Sequence, residues 1–95
     1  MWVAGPAVAW VDGGDRIVMM RLDQVGDPES PEPGPRALET SAAVIWRAVL
    51  TASDPDELVA LVSRNSPANP PAKAIRADVL GFVDQLLADG WLAAR

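Results

Sequence analysis

The sequence contains no cysteine and no histidine, and each absence removes a class of chemistry. Without cysteine there are no disulfides and no thiolate nucleophile, and without histidine there is no imidazole acid–base catalyst. The usual zinc ligands are missing for the same reason. We therefore expect no metal site and no cofactor, and we expect that the chain is not an enzyme.

Long apolar runs and clusters of basic residues are also missing. No segment approaches the roughly 20 consecutive apolar residues of a membrane-spanning helix, and Met1–Pro6 lacks the pattern of a signal peptide. The net charge is −5, from 13 acidic residues and 8 basic residues that are scattered along the chain. Such a chain repels nucleic-acid phosphates. We expect a cytoplasmic protein that binds no membrane and no nucleic acid.

Apolar residues are abundant enough for one packed core. They make up 49% of the 95 residues, and a chain of this length forms a single domain, here predicted over residues 1–95. Most of the carboxylates fall in turns, at helix starts or on exposed helix faces, where solvation and the helix dipole account for them. No glycine-rich loop lies between a strand and a helix, so a phosphate site is not indicated.

The first part of the chain predicts a β-hairpin followed by a loop. Ala7–Val11 and Arg16–Leu22 are rich in β-formers and flank two glycines that suit a tight turn. Alternation along the second run predicts an inward face made of Val18, Met20 and Leu22. Val25–Pro35, with four prolines, two glycines and three acids, can form neither strand nor helix. Trp2 is expected in a mobile terminal segment.

The next three residues, Arg36–Leu38, are predicted to form a very short strand. A strand of this length fits best at the edge of a sheet, where its free backbone groups are available to a partner. The chain then enters an apolar-striped helix over about Ser41–Ala52, with Thr40 or Ser41 as its cap and Trp46 in the core.

Two more helices are predicted, over about Pro55–Arg64 and Ala72–Ala88. Asp54 is the expected cap of the first of these, and Gly90 is the expected left-handed end of the second. Strand, strand, short strand and three helices together predict an α+β fold. The plan is a winged helix-turn-helix in which a three-stranded antiparallel sheet precedes three helices.

The last predicted helix carries two apolar rows, one more than the core requires. The rows are Ile75, Val79 and Phe82, and Leu80, Val83 and Leu87. If one row packs inward, part of the other can line a groove beside the edge strand, with Lys73 and Arg76 at its mouth. An extended peptide could add a strand there. The predicted peptide-binding residues are Arg36, Ala37, Leu38, Glu39, Ile75, Arg76, Val79, Leu80 and Val83.

The residues also resemble a known family. Leu38–Trp46 reads L-E-T-S-A-A-V-I-W and resembles the L-N-x-T-A-A-x-I-W signature of PqqD-like proteins. Asp78–Leu86 and Gly90–Leu92 are similar to that family's third helix and its ending, so the resemblance runs from about Ala7 to Leu92. It implies a non-catalytic recognition element of ribosomally made, modified peptides (a RiPP recognition element). Such a domain binds a precursor's leader region as an added strand between the third strand and the third helix.

Within that family the chain looks most like the stand-alone leader-binding proteins of lasso-peptide biosynthesis. This resemblance implies three partners: the precursor leader peptide, a leader peptidase of the transglutaminase-like cysteine-protease type, and an asparagine-synthetase-like cyclase. Three alternatives stay open. They are a PqqD-type chaperone of pyrroloquinoline quinone biosynthesis, a winged-helix DNA-binding regulator, and a structural subunit without a peptide groove.

Overall fold

The structure is a computed structural model, and it describes residues 2–22 and 36–94. Within them the chain forms five strands and three helices. In chain order these are β1 (Trp2–Ala4), β2 (Val8–Asp12), β3 (Arg16–Arg21), β4 (Arg36–Glu39), α1 (Ser41–Thr51), α2 (Pro55–Asn65), α3 (Ala72–Ala88) and β5 (Leu92–Ala94). The loop predicted at Val25–Pro35 lies outside the described residues.

The mixed α+β fold with three helices is confirmed, but the predicted sheet is incomplete. The expected antiparallel sheet has the order β2-β3-β4, and a second sheet pairs β1 with β5. Each missed strand is three residues long, and its partner lies at the other end of the chain, with Trp2 opposite Ala94. Local sequence carries no signal for such a pairing. Trp2 is therefore buried in a strand, and its assignment to a mobile terminal segment was wrong.

β3 turns the opposite face to the core from the one predicted. Ile17 and Met19 are 0% and 1% exposed, whereas Val18 and Leu22 are 39% and 58% exposed. The prediction that Val18, Met20 and Leu22 point inward was therefore wrong. Alternation sorts side chains onto two faces, but both faces of β3 are apolar, so the pattern could not say which one α1 covers.

The core lies between the inner face of this sheet and the helices. Trp46 of α1 is fully buried, as predicted, in one cluster with Ile17, Met19 and Leu38. Trp10 of β2 meets its ring edge-on, with the ring centroids 5.8 Å apart and the planes at 77°. Trp10 itself is 38% exposed, so it covers Trp46 from the rim of the core. An edge-to-face pair contributes about 0.5–1.5 kcal/mol beyond the area that it buries.

The helix boundaries follow the sequence closely. Asp54 caps α2 by accepting a 2.7 Å hydrogen bond from the Glu57 N–H, with Pro55 in the first helical position. α3 has the predicted bounds and ends at Gly90, whose φ of +82° suits glycine. Across the described residues, no helix combines the length and the apolar character needed to span a membrane.

An ion pair fastens the β2–β3 hairpin to α1. Arg47 donates from two guanidinium nitrogens to both carboxylate oxygens of Asp12, each at 2.8 Å, and also to the Gly14 carbonyl at 2.7 Å. The Arg47 hydrogen bonds and the N–H of Gly14 lower the pKa of Asp12 to about 2, and the same pairing raises the pKa of Arg47.

We expect Asp12→Asn to lower the free energy of unfolding at neutral pH. We also expect the variant to lose less of its unfolding free energy in acid than the parent loses. The pKa of Asp12 is 3.8 when unperturbed and about 2 in the fold, so the charged form stabilises the fold above roughly pH 4. That contribution is lost as the pH falls towards 2. Urea unfolding at pH 7 and pH 2 should therefore show a gap between variant and parent that closes in acid.

Asp15→Asn is the matched control, because it removes the same charge from the same turn. Within residues 2–22 and 36–94, the ion pair of Asp15 is with its exposed neighbour Arg16, at 3.8 Å, so we expect little change at either pH. A gap between Asp12→Asn and the parent that is as large at pH 2 as at pH 7 would contradict the assignment.

Candidate functional site

β4 is an open edge of the larger sheet, as predicted, and it extends one residue further, to Glu39. It pairs antiparallel with β3 on one side, and within residues 2–22 and 36–94 no strand pairs with its other side. Alternate residues of such an edge direct their N–H and C=O groups outward. These groups can form a ladder with an added strand.

The two faces of β4 differ in character. Leu38 is buried and stands opposite Ile17, and Arg36 on the same inner face stands opposite Met19 and is half-buried. Ala37 and Glu39 are exposed on the outer face. A strand added here would turn alternate side chains inward, towards the face that holds Arg36 and Leu38.

Thr40, the residue that follows β4, has an unusual backbone conformation. Its φ is +50° and its ψ is −121°, a region that β-branched residues rarely adopt. It stands at the cap position of α1, but its Oγ1 donates to the Glu39 carbonyl at 2.8 Å and makes no cap bond. The predicted cap position is therefore correct at Thr40, and the expected capping by its side chain is absent.

A cleft of about 630 Å³ opens beyond this junction. It lies between the first turns of α1, the connection from α2 to α3 and the first two turns of α3. Six of its lining residues are Thr40, Ser41, Val62, Ile75, Asp78 and Val79. The cleft links the end of the open strand to one flank of α3, where alternate side chains of an added strand could be buried.

α3 buries a line of residues that takes one member from each predicted row and adds Leu86. Val79, Val83 and Leu86 are 2%, 2% and 0% exposed. The other predicted row members, Ile75, Phe82, Leu80 and Leu87, are half-buried along the two sides of this line. The premise that one whole row packs inward was therefore wrong, and the groove assignment stays a prediction. With 3.6 residues per turn, the inward line runs between the two rows.

The predicted site residues on α3 separate onto two flanks. Arg76 donates to the Asp56 carboxylate of α2 at 2.7 Å, and with Lys73 it lines a small cleft against α2. Leu80 comes one turn after Arg76 and lies on the same flank. Ile75 and Val79 line the cleft beside Thr40 instead. The structure brings these two towards the end of β4, whereas it pairs Arg76 with α2.

Arg21 and Trp91, which the sequence did not indicate as site residues, lie with the predicted Arg36 at the other end of β4. The guanidinium carbons of Arg36 and Arg21 are each 5.9 Å from the ring centroid of Trp91. Trp91 follows the left-handed Gly90 directly and is fixed there, because its N–H donates to Leu86 and its carbonyl accepts from Gly5. An aromatic residue just beyond a helix C-cap was the one available signal for this contact.

The site offers backbone pairing and side-chain burial. Among the residues that the structure describes, no group of three or more acidic side chains could hold a metal ion. A free strand edge with a cleft at one end and a half-buried arginine at the other is an arrangement that accepts an extended peptide by strand addition. These features define a small α+β domain with an accessible sheet edge beside a cleft.

Comparison with known proteins gives the family. The family described as Coenzyme PQQ synthesis protein D (PqqD) matches residues 17–92, from β3 to β5. The chain therefore belongs to the PqqD family, as its sequence resemblance predicted. No curated protein matched the chain.

One solved structure with the same fold is described as TbiB1 in complex with the TbiA(beta) leader peptide. It aligns with a TM-score of 0.73 at 16% identity, over 97% of this chain and 95% of that one. Agreement over nearly the full length of both chains shows that the two share a fold.

The backbone at Thr40 leads to a stability prediction. Because its φ is +50°, we expect Thr40→Gly to be more stable than Thr40→Ala by about 1 kcal/mol, since only glycine adopts this region without strain. Ala37→Gly, three residues earlier in regular strand, should instead lose about 0.5–1 kcal/mol. Denaturant unfolding of the three variants measures both effects. A Thr40→Ala variant that is at least as stable as the Thr40→Gly variant would contradict backbone strain at this position.

Proposed function

We propose that this chain is a non-catalytic RiPP recognition element. It binds the leader region of a ribosomal precursor peptide as a β-strand added to β4, beside α3. The observation that carries the proposal is the open edge of β4, whose end leads into the cleft lined by Ile75 and Val79. Membership of the PqqD family and a fold shared with a protein described in complex with a leader peptide support it.

The energetics require both parts of this site. A micromolar complex needs about 8 kcal/mol, and each backbone hydrogen bond contributes only about 1 kcal/mol. The four residues of β4 cannot supply that free energy through pairing alone. The remainder must come from apolar side chains buried in the cleft, at about 25 cal/mol per Å². The edge therefore fixes the peptide's direction, and the cleft supplies affinity and selects side chains.

The proposed site takes in the four residues of β4, with Ile75 and Val79 in the cleft wall. Val83, also predicted in the site, is buried in the core behind this wall. Arg76 and Leu80, on the α2 flank, would contact a leader only if it continued past the cleft towards α2.

We further propose that the bound leader is presented to a leader peptidase of the transglutaminase-like cysteine-protease type and to an asparagine-synthetase-like cyclase. The sequence resemblance to the stand-alone proteins of lasso-peptide biosynthesis supports this assignment, and the cytoplasm is where these partners would meet. Neighbouring genes test it. A short precursor gene beside genes for both enzymes is expected, whereas genes of pyrroloquinoline quinone biosynthesis would favour the alternative branch.

The rival winged-helix regulator would present α3 to DNA. The charge of α3 opposes this, because Asp78 and Asp84 are exposed on it and Arg76 is paired with Asp56. A gel shift at low salt should show no retardation of duplex DNA. Retardation at micromolar protein would favour the regulator.

Titration with a synthetic leader tests the proposed function directly. The probe is a peptide that covers the leader region of the precursor gene nearest to this one. Calorimetry should show saturable binding in the sub-micromolar to micromolar range. Hydrogen exchange should slow within Arg36–Leu38 at the amides that face away from β3, because these enter the new ladder. No saturable binding, or binding without protection of β4, would contradict the proposal.

Ile75→Asp should weaken binding of the same peptide at least about tenfold, because a carboxylate in the cleft wall is unpaired once the peptide covers it. Ala77→Asp is the matched control, since it adds the same charge to the exposed face of α3. Thermal unfolding should confirm that both variants fold. Equal affinities for the two variants would remove the cleft from the binding site.

A further inference from the structure

Arg36 differs from the other arginines of the described chain in its surroundings. Arg16, Arg47 and Arg76 each lie within 4 Å of a carboxylate, and Arg21 donates to the carbonyl of Asp89 at the end of α3. Arg64 is exposed to solvent on the last turn of α2. Arg36 is half-buried, and within residues 2–22 and 36–94 no carboxylate forms an ion pair with it. A partly buried charge without a counter-charge is costly unless a partner supplies one.

The contact between Arg36 and Trp91 orients the guanidinium without using its donors. The guanidinium carbon lies 5.9 Å from the centroid of the indole ring, on the inner side of β4. Cation–π contact involves the ring face, so the N–H donors of the guanidinium are left for a planar acceptor such as a carboxylate. Arg21 stands over the same ring at the same distance. Two guanidinium groups therefore meet at the Trp91 end of β4.

We propose that Arg36 binds an aspartate or glutamate side chain of the peptide that adds to β4, and so determines which leaders are accepted and in which register. The inference rests on the proposed function, because it requires a strand paired with β4. It adds to that function a residue that reads one chemical group of the peptide.

Strand geometry gives the position of this acidic residue. A side chain that faces inward opposite Arg36 lies about 5 Å away across the ladder. The peptide's next inward side chain, two residues along, stands against Leu38 at the end of β4 that opens into the Ile75 cleft. The expected pattern is an acidic residue at the Trp91 end and an apolar residue two positions nearer the cleft.

This pattern also fixes the register of the added strand. A slip of one residue would turn both side chains to the outer face, and a slip of two would place the apolar residue against the guanidinium. Four residues of edge provide too few hydrogen bonds to exclude such slips without a charged anchor.

The test combines variants of the protein with variants of the leader of the nearest precursor gene. In that peptide each Asp and Glu is changed singly to Asn or Gln. Affinities are measured for the parent protein, for Arg36→Gln and for Arg64→Gln. Arg64→Gln is the matched control, because it removes the same charge from the exposed last turn of α2. Thermal unfolding checks that each variant folds.

One acidic residue of the leader should stand out. Its neutralisation is expected to weaken binding to the parent and to Arg64→Gln about fivefold to tenfold, as for a charge-assisted hydrogen bond. The same change should alter binding to Arg36→Gln less than about twofold, because the partner is already missing. Arg36→Glu should bind the parent leader poorly and should recover affinity when that acidic residue is changed to Lys.

The outcomes separate this inference from the proposed function. If the parent does not bind the leader at all, both fail. If the leader binds and protects β4, but every acidic-to-amide change affects the parent and Arg36→Gln alike, the role of Arg36 is wrong and the proposed function stands. A leader without Asp or Glu that binds at full affinity would also overturn the role of Arg36.

Discussion

The burial of Trp46 against the inner face of the β2-β3-β4 sheet is the interaction on which the rest of the structure depends. The indole fills the space between α1 and the strands, in one cluster with Ile17, Met19 and Leu38, and Trp10 packs edge-on against it. This packing selects the inner face of β3 and holds β4 through Leu38. The Asp12–Arg47 pair adds a second link between the hairpin and α1. These contacts therefore fix where the four-residue edge strand lies.

An unpaired strand edge is a liability that this fold keeps small. β4 is short and is followed by the strained Thr40, and its outer face carries Glu39 beside Arg16. Short length and charge discourage edge-to-edge pairing between copies. In the proposed mode of binding, a leader must therefore bring more than backbone hydrogen bonds. Its side chains would meet the cleft at one end of β4 and Arg36 at the other.

Sequence reasoning succeeded where the cause of a feature is local. The cap at Asp54, the left-handed end at Gly90 and the bounds of α3 follow from residues within a turn of each other. The position of β4 at the edge followed from its length. Sequence reasoning failed where contacts between distant segments determine the structure. The buried face of β3 depends on which side α1 covers, and β1 forms only because β5 returns beside it. On α3, the apolar residues extend on both sides of the buried line. The sequence pattern therefore could not show which of them lie towards α2 and which line the cleft.

By itself, the sequence determined the helices, the short strand, the family and the chemistry that the chain lacks, because propensity, capping and composition act over a few residues. Only the tertiary structure decided the second sheet, the separation of Arg76 from Ile75, and the meeting of Arg36 with Trp91. Those contacts join residues far apart in the chain. They exist only once the core has packed, because packing fixes which side chains become neighbours.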